Sequence, residues 1–363
     1  MNLDAIRIFG CYGIVLYHYL PYVNGKDGWL FWPFRHASVL VDVFFVISGV
    51  VIAYNYAGKT GSVESYFSYL RKRFARLYPL HLATLLFYSA IGVAALAGYL
   101  QVVEISKYNF AEWIPNVLML HAWGLSTDMA FNGPSWTVSA ELFAYILFPL
   151  VLAGATRSIT SGIVMILVLF AVCITLGELL TGRDLQHLTV PYAIFRTLPS
   201  FAVGVVIYMN RNAFPIIPKT SMRIAVFLSL AVFLAFMVGG APSYLRLVSA
   251  IVFASLAFVA DHQHTSLGLG GAGISSHAEL TYSLYMIHGP VATVLMAFLF
   301  PKILGDWFQG EDAVRLMCVL ASTAVAVGAS WISYRYFEVP ARLWLSGRRQ
   351  LRGPEALPVR SAG

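Results

Sequence analysis

The sequence is short of charge. Only 11% of its 363 residues are Asp, Glu, Lys or Arg, less than half the roughly 25% of an ordinary water-soluble domain. Such a chain cannot cover a globular surface in water, which excludes a soluble enzyme or a free nucleic-acid-binding domain. Cysteine is scarce too. Cys11, Cys173 and Cys318 each fall inside an apolar stretch, which argues against a disulfide scaffold or a thiolate metal site. No internal repeat is visible, and no polar segment is large enough for a second, soluble activity. The first apolar run follows an acid, Asp4, and lacks a small-residue cleavage site, so it reads as a retained helix and not as a secretory signal.

What is abundant is hydrocarbon, at 59% hydrophobic residues. Apolar runs recur, each about long enough to cross a ~30 Å hydrocarbon layer at ~1.5 Å per residue. The expected spans are 5–22, 38–56, 78–99, 135–154, 159–180, 190–208, 222–240, 243–261, 279–300 and 313–336. The fold class is therefore all-α, a polytopic integral membrane bundle of about ten transmembrane helices. Residues 1–345 form the transmembrane domain, and the polar, basic stretch 346–363 is expected to be a disordered cytoplasmic tail.

The formal charge of +7 reports topology, not a nucleic-acid partner. Lys59, Arg71, Lys72, Arg73, Arg76, Arg157, Arg211, Lys219 and Arg223 gather in alternate loops and further arginines in the tail, which puts both termini in the cytoplasm. The loop 100–134 carries Trp113, Ile114, Leu118 and Trp123 in a run too short to span. It is expected to be interfacial or re-entrant.

Ionisable residues inside spans cost several kcal/mol unless they are paired or face a polar cavity. Arg7 and His18 are eleven residues apart, which brings them within ~20° of the same direction on a helix and ~16 Å apart along it. Asp4 stands one turn before Arg7 and can pair with it. His18 either bonds a neighbouring helix or, with a pKa near neutrality, takes a hydroxyl proton as a general base. Arg73 and Arg76 share a helix face just before a span. They either mark the cytoplasmic side or chelate the phosphates of a nucleotide-bearing donor such as coenzyme A. Glu141 lies about two turns inside the helix opened by Pro134-Ser135-Trp136. It is expected to orient His18, bind a substrate hydroxyl or close a structural ion pair. Tyr282, Tyr285 and His288, at steps of three, form a polar stripe toward the interior, either in a site or in an interhelical ladder.

Several segments then fall into one pattern: Leu3-Asp4-Ala5-Ile6-Arg7 with His18; Val41-Asp42 through Ser48-Gly49; Arg73-Phe74-Ala75-Arg76; Ser135-Trp136-Thr137-Val138-Ser139-Ala140-Glu141; Tyr282-Ser283-Leu284-Tyr285-Met286-Ile287-His288; and Phe337-Glu338-Val339-Pro340. In this order the chain resembles the membrane acyltransferase-3 family, which includes O-acetyltransferases of O-antigen, exopolysaccharide and lipo-oligosaccharide. Ala5 stands where that family usually has glycine, and Ala140 where it has valine. The resemblance implies a cytoplasmic acyl-CoA donor, most often acetyl-CoA, with no metal. It also implies a hydroxyl acceptor, a glycan or lipid-linked saccharide, on the outer side of a bacterial inner membrane. Carried over, His18 is the base, Arg7 its partner and Glu141 part of the catalytic group. Arg73 and Arg76 bind the donor, while Trp136, Tyr285 and His288 line its pocket. The rival readings are acylation of a small molecule and a transporter or flippase, for which repeated halves would be expected.

Overall fold

The computed structural model describes residues 2–271 and 273–347, and no strand occurs among them. Its long helices are α1 (Asn2–Tyr19), α2 (Leu40–Tyr56), α3 (Val63–Leu96), α4 (Trp136–Arg157), α5 (Ile159–Thr181), α6 (Ala193–Met209), α7 (Lys219–Gly239), α8 (Ser243–His262), α9 (Thr281–Leu304) and α10 (Asp312–Ser346). Eight stretches are long and apolar enough to cross a membrane, and the protein is an integral membrane helical bundle. The count of about ten is reached only with α1 and α6. Of these, α6 is apolar but 17 residues long, and the 18-residue α1 is diluted by Asn2, Asp4, Arg7 and His18. Ser346 closes α10, so the expected tail lies outside the described residues from 348 onward.

Local chemistry sets the helix ends. The orphan N–H groups of Asn2 and Leu3 donate to the Asp261 carboxylate, at 3.1 and 3.2 Å, which ties the start of α1 to the end of α8. Ser62 and Ser65 cap α3 reciprocally. Gly182, in the left-handed region at φ 66°, stops α5.

Packing sets the neighbours. The backbones of α2 and α6 cross at Gly49 and Gly204, where an added Cβ would lie 2.1 Å from Phe201 O and 2.0 Å from Val46 O respectively. Only glycine admits that approach.

Prolines inside helices leave a carbonyl without its N–H four residues on, and at two of them, Pro149 and Pro290, another segment uses the freed oxygen. Pro149 in α4 frees Tyr145 O, which accepts the Tyr69 hydroxyl at 3.1 Å. Pro290 in α9 frees Met286 O, which accepts Asn132 Nδ2 at 3.1 Å. Pro340 follows a π turn, Tyr334–Glu338, that widens α10 just before its last turns.

The connection between α3 and α4 does not lie flat on the bundle. Met119 and Ala122 are fully buried and Phe131 nearly so. The Ser139 hydroxyl of α4 donates to Met119 O at 2.7 Å and accepts the Ala122 N–H at 3.1 Å. Non-helical backbone enclosed by helices needs such partners, because no water is there to supply them. Of the two expectations for this loop, an inward fold is the one observed.

Candidate functional site

The site is built around α1. Phe9, 64% exposed, is nine residues from His18, so the two point to opposite sides of the helix. His18 is nevertheless exposed. Neither of its nitrogens has a hydrogen-bond partner among the described residues.

Its neighbour is His288 of α9, with ring centroids 5.0 Å apart. His288 is fully buried. Its Nδ1 lies 3.2 Å from Leu284 O, and since a carbonyl only accepts, that nitrogen carries the hydrogen and Nε2 keeps its lone pair. Nε2 is buried and has no partner. Tyr19 fixes the local backbone by donating to His288 O at 2.8 Å. Tyr285, one turn earlier, donates to Pro134 O at 3.2 Å and sets its ring 5.9 Å from that of His288.

The opposite end of α1 is cationic. Arg7 Nη2 donates to Thr281 Oγ1 at 3.1 Å and Nη1 lies 4.0 Å from Asp4, the pairing expected from their spacing. Arg7 also feels the charges of Arg76 and Glu141. Arg76 sits 3.7 Å from Glu338 of α10 and 5.1 Å over the Tyr282 ring. Arg73 donates to the Tyr56 hydroxyl at 2.9 Å and stacks on the same ring. Arg7 lies ~16 Å along the α1 axis from His18, and Arg76, one turn from Arg73 on α3, is among the charges acting on Arg7.

Glu141 stands apart from His18. Its Oε1 accepts the hydroxyls of Ser48 and Tyr145, and its charge is one of those acting on Arg7. The group beside His18 is instead another histidine, because α4 starts inside the bundle and Glu141 is one and a half turns further from it. Trp136, expected in the donor pocket, packs 5.3 Å from the guanidinium of Arg196.

That arginine belongs to a centre the sequence reading passed over. Arg196 of α6 and Asp42 of α2 are both fully buried and joined by two hydrogen bonds, Nε to Oδ1 at 3.0 Å and Nη2 to Oδ2 at 2.7 Å. Arg196 also reaches Gln186 O at 2.6 Å and Ser38 O at 2.9 Å. The signal was present, since both are charges within apolar spans.

Lys107, in the connection before α4, is a second omission. Its ammonium lies 4.5 Å over the Tyr88 ring and acts on His18, and burial pulls its pKa down to about 8. A third is the histidine pair His81 and His121, stacked at 5.5 Å with planes 6° apart, where His121 Nε2 meets Ser135 Oγ at 3.2 Å. Among the described residues no cluster of three or more His, Cys, Asp or Glu could hold a metal ion.

Fold and site together define a membrane-embedded helical protein with a histidine pair toward one end of α1 and arginines toward the other. A family model described as an acyltransferase domain, Acyl_transf_3, matches residues 2–335, and the chain belongs to that family. Acyltransferase MdmB of Streptomyces mycarofaciens is 35% identical over 118 residues. The matched stretch covers 31% of this chain and 28% of that protein. No solved structure matches.

Proposed function

We propose that the protein is an O-acyltransferase that moves an acyl group, acetyl in the first instance, from cytoplasmic acyl-CoA to a hydroxyl of an extracytoplasmic glycan or glycolipid. The observation that carries this reading is the arrangement along α1, with the imidazoles of His18 and His288 at one end and the guanidinium of Arg7 at the other. The basic inner loops supply the orientation, with both termini in the cytoplasm.

The phosphates of coenzyme A rest on Arg73 and Arg76, and its extended arm follows α1 toward His18, a distance of ~16 Å. The acceptor hydroxyl approaches from the other side. Neutral His18 takes its proton as the oxygen attacks the thioester carbonyl. The tetrahedral oxyanion collapses, the carbon–sulfur bond breaks, and the thiolate leaves as CoA and regains a proton from the imidazolium. The His288 ring packs against that of His18 and keeps it in place beside the thioester, its centroid 5.0 Å away. Glu141 works from the arginine end, offsetting the charge of Arg7.

The test is O-acylation of surface glycan, read by mass spectrometry and NMR in the native host after deletion of the gene. Restoration by the wild type and not by a normally expressed His18→Ala is the expected result. An unchanged glycan on deletion would remove the glycan acceptor, and full rescue by His18→Ala would remove the base.

A further inference from the structure

Past the π turn, the last two turns of α10 lie against α3, held by a hydrogen bond from Arg71 Nε to Leu345 O of 2.6 Å. This contact carries Arg342 to the arginine end of the bundle, where its guanidinium acts on those of Arg76 and Arg73. Arg342 is half-buried, and among the described residues it has neither a hydrogen bond nor a carboxylate within 4.0 Å.

The surrounding acids are already committed. Glu338 sits 3.7 Å from Arg76, and its other oxygen accepts the Ser283 hydroxyl. Glu279 accepts the Tyr334 hydroxyl at 2.7 Å. Glu141 is held by Ser48 and Tyr145, and Asp4 lies beside Arg7. Arg73 has a neutral partner, Tyr56, and its Nε is buried without any. Arg342 stands one turn past Glu338 on α10, and Glu338 lies 3.7 Å from Arg76, so Arg76 and Arg342 flank one carboxylate while Arg73 stands one turn before Arg76 on α3. Like charges at such quarters repel in a medium poorer than water, so the cluster is poised for a multiply charged anion.

We propose that Arg342 is a third donor-binding residue, which completes with Arg73 and Arg76 a seat for the phosphates of coenzyme A. The inference rests on the acyl-CoA reading given above. Glu338 belongs to the family-like segment Phe337-Glu338-Val339-Pro340, but that resemblance gives no role to Arg342, which follows it. Planar guanidinium groups suit phosphate oxygens, which they can engage two at a time. Glu338 occupies Arg76 until the donor arrives and then keeps only its bond from Ser283.

The experiment is calorimetric titration of the full-length protein with coenzyme A, in nanodiscs of phosphatidylcholine alone and of phosphatidylcholine with phosphatidylglycerol. Loss of one charged contact to phosphate is worth about 10- to 100-fold in affinity. Arg342→Gln should show that loss in both discs, Arg342→Lys should recover most of it, and the ligand-free unfolding midpoints should stay together. Equal affinity in Arg342→Gln, alongside a loss in Arg76→Gln, would overturn the role of Arg342 and leave the donor reading standing. A loss confined to discs with anionic lipid would assign Arg342 to a lipid headgroup instead. An early-unfolding Arg342→Gln with no recovery in Arg342→Lys would make the residue structural. No binding of coenzyme A to the wild type would remove the donor itself.

Discussion

Replacing Asp42 by asparagine removes one negative charge and almost no volume, so the outcome isolates the value of the Asp42–Arg196 pair. Both side chains are wholly buried. Arg196 would keep its bonds to Gln186 O and Ser38 O but lose the carboxylate that accepts from Nε and Nη2. The charge left behind has no water to turn to. Breaking a buried pair in this way costs about 3–5 kcal/mol, and two charge-assisted hydrogen bonds at about 1.5–3 kcal/mol each fall in the same range. The double replacement Asp42→Leu with Arg196→Met leaves no charge behind and should be far milder, within about 2 kcal/mol of the wild type. The assay is reversible unfolding in mixed micelles as a double-mutant cycle, with a coupling energy above about 2 kcal/mol expected from two groups in direct contact. A loss below about 1 kcal/mol for Asp42→Asn would mean that water reaches Arg196, and the assignment of a dry ion pair between α2 and α6 would fall.

Gly49→Ala and Gly204→Ala should each lower the unfolding midpoint, because the new methyl meets a carbonyl oxygen at 2.1 or 2.0 Å and forces α2 from α6; a cost of about 1–3 kcal/mol is expected, and an unchanged midpoint would contradict the crossing. Lys107, pulled by burial from 10.5 to about 8, binds its proton less tightly in the folded protein than in the unfolded chain. Its burial therefore costs stability below pH 8, and the cost fades as pH rises toward about 10.5. Lys107→Gln should raise the unfolding midpoint near pH 7, with a gain that shrinks above pH 8; a gain independent of pH would refute this. Asn132→Ala removes donors to Thr84 Oγ1 and Met286 O, both at 3.1 Å, and should cost about 1–3 kcal/mol, seen as faster proteolysis of the loop before α4.

The helical membrane fold could be read from apolar run length alone, since hydrocarbon thickness fixes span length. The direction shared by Arg7 and His18 was equally legible, because it depends only on helix geometry. Contacts between helices were not. His288 was visible as a polar residue on an interior stripe, but its place beside His18 depends on how α1 and α9 slide past one another. Glu141 was legible as a carboxylate needing a partner, but which of its possible partners it takes was not, because Ser48 comes from α2, 93 residues away in sequence. Arg196 was hidden differently. It completes no short motif, and its meaning lies in a carboxylate 154 residues away.

The freed carbonyls at Pro149 and Pro290 give the bundle anchors made of main chain. A side-chain anchor disappears when its residue is replaced, but Tyr145 O and Met286 O are supplied whatever stands at 145 or 286. What is vulnerable is the proline four residues further on. Restoring an ordinary N–H at 149 or 290 would heal the helix, yet it would set that N–H in competition with Tyr69 or Asn132 for the same oxygen. At these two places a more regular helix would mean a looser assembly, and the imperfection is what keeps α3 on α4 and the buried loop on α9.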